Sequence, residues 1–229
     1  MKKILFIVAL TMSISAFSQN EEVMKKLKEA GITGEILSSN LKDSDAEYFY
    51  DVKITTVNSS ETKVEECKFD PTKEIGKRWI LKSVNGGSPS KKDLKNFDKA
   101  HNTKQPNING KVDENSWKIE KDDTDYLLVS FKYDKTSLPK KYAFLGDCKG
   151  LAHFNKKTKS LEKAEFVNER PVKIKIFNVT KLDMSVKYFY NKDAQTYMVK
   201  EEDLDMQVKL LGQLVDINEK SEFSNYKKK

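Results

Sequence analysis

Cysteine and histidine are scarce in this chain, with two of each in 229 residues. Two cysteines cannot make a disulfide framework, and a chain this long does not need one to build a core. Whether Cys67 and Cys148 form one bridge or stay as two buried thiols is open to the sequence, because an exported chain permits either. His101 and His153 stand alone, with no CxxC and no HxxxH pair. Metal sites need clustered ligands at defined spacings, so no metal and no cofactor is expected. Nucleophile signatures are missing too: there is no GxSxG and no SxxK–SDN–KTG set. The GxGxxG fingerprint and the EF-hand pattern are also absent. Cys148 and His153 are five residues apart, which puts them on opposite faces of a regular strand and argues against a Cys–His pair. Long apolar runs are lacking as well. The longest, Ile4 to Met12 broken by Thr11, is far short of the ~20 residues that cross a bilayer as a helix.

That short run has a different meaning. Lys2 and Lys3 precede it, and Ala16-Phe17-Ser18 follows with the small-x-small order of a cleavage site. The order reads as a secretory signal peptide over residues 1–18. No cysteine lies near the cleavage point, so a lipobox is not expected. A periplasmic or secreted protein without a transmembrane segment after signal cleavage is expected, with residues 19–229 forming one domain.

The formal charge is +7, from 42 Lys and Arg against 35 Asp and Glu. Lysine is spread along the chain and mostly alternates with apolar residues, as on the wet face of a sheet. A nucleic-acid binder concentrates its charge on one face or element, so no nucleic-acid partner is expected. Solubility is the first consequence of the charge, and weak attraction to anionic lipid is the second.

What the chain has in abundance is period-two alternation. Glu21 to Gly31 reads as a short amphipathic helix stopped by Gly31. Glu47 to Val57 alternates as a strand, and TKVEECKF returns beside it as a hairpin. RWILKSV makes a third strand. Asn85-Gly86-Gly87 then raises the question of a phosphate loop. A P-loop needs GxxxxGK[ST], and here no glycine precedes the lysines, while Pro89 removes an amide a cradle would use. A turn with positive φ at Asn85-Gly86 or Gly86-Gly87 explains the residues better. Ser90 with Asp93 forms a capping-box pair for a helix from Ser90 to about Thr103, with Leu94 and Phe97 as its buried stripe and His101 one turn on.

From Trp117 the chain reads as strands joined by short turns: WKIEKD, DYLLVSFKYD, KKYAFLGDCKGLAHF, SLEKAEFV, RPVKIKIF, MSVKYFYN, QTYMVKEEDLDMQVKLL and LVDINEKSEFSNY. Gly212 is expected to bend or bulge a long strand. One face is dry and one wet throughout, as in an antiparallel meander that curls into a barrel or half-barrel. Asp-rich stretches such as Asp122-Asp123-Asp125 and Glu201-Glu202-Asp203 read as solvated turns. Tyr48, Tyr50, Phe131, Tyr133, Tyr188 and Tyr190 recur at strand spacing, and a core face accounts for them better than a ligand cleft.

The pattern WILKSVNGGSPSKKDLKNF, followed by KGLAHFNKKTKSLEKAEF, resembles exported bacterial proteins of the LolA-like superfamily. That superfamily takes in periplasmic lipoprotein carriers and lipid-binding lipoproteins of mycobacteria. The resemblance implies a half-barrel whose open side is covered by helices around an apolar cavity for acyl chains. It implies a lipid or lipoprotein as partner. The carriers have several covering helices, and this chain offers one clear helix, Ser90 to about Thr103, and a short one near Glu21.

The expected fold is mainly β (α+β), a single curved antiparallel sheet, half-barrel-like, with one or two packed helices. The expected function is an exported non-enzymatic binding or carrier protein of the cell envelope. Its ligand would lie in an apolar half-barrel lined by Leu127, Val129, Phe131, Ile174, Ile176, Val186, Tyr188, Met206 and Val208. The alternatives are an envelope module for a protein partner with no small ligand, and a hydrolase with a spatially assembled site of converging carboxylates.

Overall fold

The computed structural model describes residues 20–32, 47–58, 61–102, 110–194, 196–210 and 212–229. The signal peptide expected over residues 1–18 lies outside them.

The first element is helix α1, residues 20–29. Val23 and Leu27, one turn apart, are buried on its inner side. It ends in a Schellman motif: Ile32 N–H donates to the Leu27 carbonyl (2.8 Å) and Gly31 N–H to that of Lys28 (2.9 Å). Gly31 sits at φ +70°, the left-handed position that this ending requires and that glycine takes without strain. Ile32 folds back to join Leu27 in the core.

Strands β1 (Tyr48–Asn58), β2 (Glu61–Phe69) and β3 (Trp79–Val84) follow. The glycine stretch after β3 is a tight turn. Val84 and Gly87 exchange both backbone hydrogen bonds, and Asn85 and Gly86 have φ of +50° and +76°. Positive φ at both central residues is the type I′ signature. Asn85 also bonds back to β2, where its side-chain oxygen accepts from Val64 N–H at 2.8 Å. The turn therefore closes a hairpin and offers no phosphate cradle.

Helix α2 (Lys91–His101) has Ser90 as N-cap, and both bonds of the capping box with Asp93 are formed. Asn102 pins its far end to the sheet, accepting from Trp79 N–H at 3.1 Å and donating to the Trp79 carbonyl at 3.0 Å. Phe97 is buried, and His101 stacks on it at 4.3 Å. Leu94, expected in the same stripe, is 44% exposed. The helix rests on edge strand β3 through its second half, so the turn that carries Leu94 stays in water.

The remaining strands are β4 (Lys118–Asp122), β5 (Tyr126–Phe131), β6 (Cys148–Asn155), β7 (Ser160–Asn168), β8 (Val172–Ile174), β9 (Phe177–Asn191), β10 (Thr196–Leu210) and β11 (Gln213–Lys228). Three local expectations are corrected. Residues Lys140–Asp147 form a 3-10 segment behind Pro139, and β6 begins only at Cys148. The run RPVKIKIF is broken by a reversal at Lys175 (φ +55°), between the paired residues Ile174 and Phe177. Gly212 (φ +86°) lies in the turn that joins β10 to β11, where Leu210 pairs with Gln213.

All the strands join one antiparallel sheet in the order β3-β2-β1-β11-β10-β9-β7-β6-β5-β4, with β8 beside β9. The sheet is curved and unclosed, as expected of a half-barrel. It is not a simple meander, because the first and last strands pair in its interior: Val52 lies opposite Phe223 and Ile54 opposite Ser221.

Candidate functional site

Paired residues in an antiparallel ladder point to the same face of the sheet. One row can be followed from edge to edge: Val84, Glu65, Ile54, Ser221, Glu202, Val186, Ala164, Ala152, Val129 and Ile119. This is the inner face, and both helices lie on it. At one end α1 seals Leu127, Val129, Phe131, Ala152 and Phe154. At the other, Phe97 of α2 packs with Tyr50, Val52, Cys67, Phe69 and Leu81. A third cluster of Cys148, Val172, Val179, Leu182 and Val208 has Phe144 of the 3-10 segment against it.

Beside the third cluster the inner face of β9–β11 carries Met184, Val186, Leu204, Met206, Val215 and Ile217, all half-buried, with Met184, Leu204, Met206 and Ile217 packed against that cluster. Leu204 lies opposite Met184, and Met206 opposite both Leu182 and Ile217. At one end of this strip the floor turns polar, with Ser221, Glu202 and Glu219 in adjacent positions. The strip is amphipathic along its length.

The nine candidate residues do not converge on one cavity. Leu127, Val129 and Phe131 are sealed beneath α1 in a filled cluster. Val208 is buried in the third cluster, with Ile174 and Met206 packed against it. Val186 lies in the open strip, and Tyr188 sits against the first cluster. Ile176 is at the tip of the β8–β9 turn, 82% exposed, because the chain reverses there and the alternation that predicted an inward side chain ends two residues earlier. Sequence reasoning missed Met184, Leu204, Val215 and Ile217. Their alternation is visible in the sequence, but nothing local says which part of a dry face stays uncovered. The aromatic series divides in the same way: Tyr48, Tyr50 and Phe131 are core, while Tyr190 is exposed.

The ionisable groups of the inner face are shifted by their surroundings. Burial pushes the Tyr188 hydroxyl well above the usual tyrosine range, and the nearby Glu202 adds to it. Glu219 is raised by burial and by the charge of Glu65, against a weaker opposing hydrogen bond from Thr56; water still reaches its side chain. The thiols are pushed up by burial, Cys67 to about 12 with help from Glu65 and Cys148 to about 11 with help from Asp147. Both are free, so the Cys67–Cys148 bridge is not made. β2 and β6 are six places apart in the sheet order, and the two thiols belong to different clusters.

The outer face is a lattice of ion pairs. Glu201 is held down to about 2 by hydrogen bonds from Lys187 and Lys220. His153 bonds the Glu165 carboxylate, which also takes Lys163. The alternating burial of β6 puts His153 on this side and Cys148 on the other. Among the described residues no three His, Cys, Asp or Glu are grouped to hold a metal ion. A shallow polar depression lined by Lys111, Val112, Asp113, Glu114, Tyr133, Asp134 and Lys135 contains none of the candidate residues.

No family model and no curated protein matches the chain. Among solved structures it is similar to a LolA superfamily protein from Nitrosomonas europaea, at 13% identity over 91% of this chain and 93% of that one, with a TM-score of 0.36. It is also similar to an outer membrane lipoprotein-sorting protein domain from Vibrio parahaemolyticus, at 10% identity over 93% of each chain, with a TM-score of 0.38. The functional reading below rests on the geometry of the sheet.

Proposed function

We propose that this is an exported, non-enzymatic binding or carrier protein of the cell envelope, which takes a lipid, an acyl chain or the lipid of a lipidated partner on the inner face of β9–β11. The observation that carries the reading is the apolar strip of Met184, Val186, Leu204, Met206, Val215 and Ile217, which runs out from the third cluster and stays only half-buried while the two helix-covered clusters are sealed. Burying acyl methylenes there releases roughly 0.8 kcal/mol each. Ten or so correspond to about 8 kcal/mol, the scale of micromolar affinity before the costs of association are subtracted. Two methionines on the strip suit a ligand of variable shape, since the unbranched thioether adapts its packing. Ser221, Glu202 and Glu219 at the polar end would meet a hydrogen-bond-donating headgroup.

The usual nucleophiles and bases support a binding role over catalysis. Both thiols are held protonated by burial. His101 is stacked on Phe97 with the Trp79 ring tilted against it, and His153 is engaged by Glu165 on the far face.

The test is native mass spectrometry on the exported chain purified from its own source without detergent. A bound mass released as lipid on denaturation is the expected result. A clean apo mass that stays unchanged after incubation with phospholipids and lipopeptides would overturn the reading and leave the protein-interaction module as the better one.

A further inference from the structure

The turns of this sheet are mostly polar, as in Asp122–Asp125 and Asn191–Ala194. Two adjacent turns break that pattern. At the β8–β9 reversal Ile176 is 82% and Phe177 37% exposed; at the β10–β11 turn Leu210 is 46% and Leu214 57% exposed. The pairing brings the two together. Asn178 lies opposite Lys173 on β8 and Lys209 on β10, and Lys209 in turn faces Leu214 on β11. The two tips thus form one sheet end, four strands or about 14 Å across.

The charge of this end has one sign. Residues 171–178 read PVKIKIFN and residues 208–215 read VKLLGQLV, with three lysines and no acidic residue between them. Lys173, Lys175 and Lys209 are all exposed. Large apolar side chains held in water with lysines among them, and with Asp216 just beyond the turn engaged by Gln207, have the composition of an interfacial membrane anchor: the apolar groups enter the headgroup boundary and the ammonium groups meet anionic lipid. Other exposed apolar residues, such as Met24, Ile75 and Leu94, belong to separate elements.

We infer that the end of the sheet formed by the β8–β9 and β10–β11 turns docks on an anionic bilayer surface through Ile176, Phe177, Leu210 and Leu214, with Lys173, Lys175 and Lys209 supplying the charge match. Phe177 and Leu210 also terminate the inner-face rows of β9 and β10, in line with Leu182 and Met206. The docking end is therefore continuous with the apolar strip. Docking goes beyond the ligand reading and stands without it, because it is measured on the membrane surface and not as bound lipid.

The experiment is vesicle flotation of the exported chain with phosphatidylcholine alone and with phosphatidylcholine containing phosphatidylglycerol. Binding is expected to the anionic vesicles and to fall with added salt. Each lysine near the surface contributes about fivefold in partition, so K173Q/K175Q/K209Q is expected to weaken binding by roughly a hundredfold. Ile176→Glu with Leu214→Glu is expected to remove it. Both sites are at solvent-exposed turns, and an unchanged circular dichroism spectrum would exclude misfolding. Met206→Glu, inside the strip, is expected to leave flotation intact while it reduces lipid uptake, so the two proposals fail separately. Absence of binding to anionic vesicles, or binding indifferent to both sets of substitutions, would overturn the inference. So would concentration-dependent dimerisation abolished by Ile176→Glu with Leu214→Glu, which would assign the apolar tips to a second copy of the chain.

Discussion

The inner face of the sheet has two kinds of apolar surface built from the same alternating pattern. Beneath α1, Leu127, Val129 and Phe154 have no contact with water. On β9–β11, Met184, Leu204, Met206 and Ile217 point to the same face and remain half-exposed. Alternation decides which side of a strand is dry, and the neighbouring elements decide how dry it becomes. The sealed end serves stability, and the half-covered strip is the surface proposed above to take a ligand.

The sharpest way to break this comparison is to cut each region in turn. Leu27, 0% exposed, closes the α1 end. Leu27→Ala is expected to cost about 2–5 kcal/mol, read from the midpoint of chemical denaturation, since the cavity cannot fill with water favourably. If its cost were below about 1 kcal/mol, α1 would not be the sealing element and the contrast would collapse. Met206→Glu attacks the open strip. It is expected to lower stability by less than Leu27→Ala does, because Met206 is only half-buried at the margin of the third cluster, and to weaken an acyl-chain probe by about tenfold or more. The reverse outcome, large destabilisation with uptake unchanged, would make the strip ordinary core.

A smaller effect separates the polar end of the strip from the outer face. The Glu219 carboxyl is raised in the fold, so the folded state binds its proton more tightly than the unfolded chain does. Stability therefore falls as pH rises from the ordinary glutamate value, about 4.3, through the raised one, and levels off above it. Glu219→Gln is expected to be more stable than the parent at neutral pH and equal to it well below pH 4.3. Glu201, held down to about 2 on the outer face, has the opposite sign: Glu201→Gln removes a stabilisation present above the glutamate range. Denaturation curves of both variants across pH should diverge from the parent in opposite directions.

The least perturbing test uses the thiols. Cys67 lies in the α2 end and Cys148 in the third cluster, both free and both raised in pKa. A maleimide at neutral pH is expected to label neither in the native protein and both in denaturant, because only an accessible thiolate reacts. Denatured protein showing no reactive thiol would establish a bridge instead.

Much of the fold is legible locally. The Ser90–Asp93 capping box, the Gly31 helix stop and the Asn85-Gly86 turn are each fixed by residues within one turn of each other, so the chain carries their instructions in short form. The misses share a cause. Lys175-Ile176 reverses the chain without interrupting the alternation on either side. The segment before β6 is apolar enough to read as strand, yet it follows Pro139 and folds as a 3-10 turn. Ile176 was placed in a cavity and lies at a tip because two-residue turns are set by backbone φ, which a period-two pattern does not report. The strip itself was visible only in part: Val186 and Met206 were chosen from the sequence, while Met184, Leu204, Val215 and Ile217 were not, although all six share its pattern.

By itself the sequence determined the period of nearly every strand, the sidedness of each, both helices with their caps, and a charge spread over a wet face. These depend on interactions a few residues long. The tertiary structure alone decided that β1 pairs with β11 in the interior of the sheet, that the helices settle over the two ends, and that two lysine-bearing apolar turns meet at one end. Those outcomes join residues more than a hundred positions apart or in separate hairpins, where the free energy of packing selects among many pairings that every strand's local pattern allows equally.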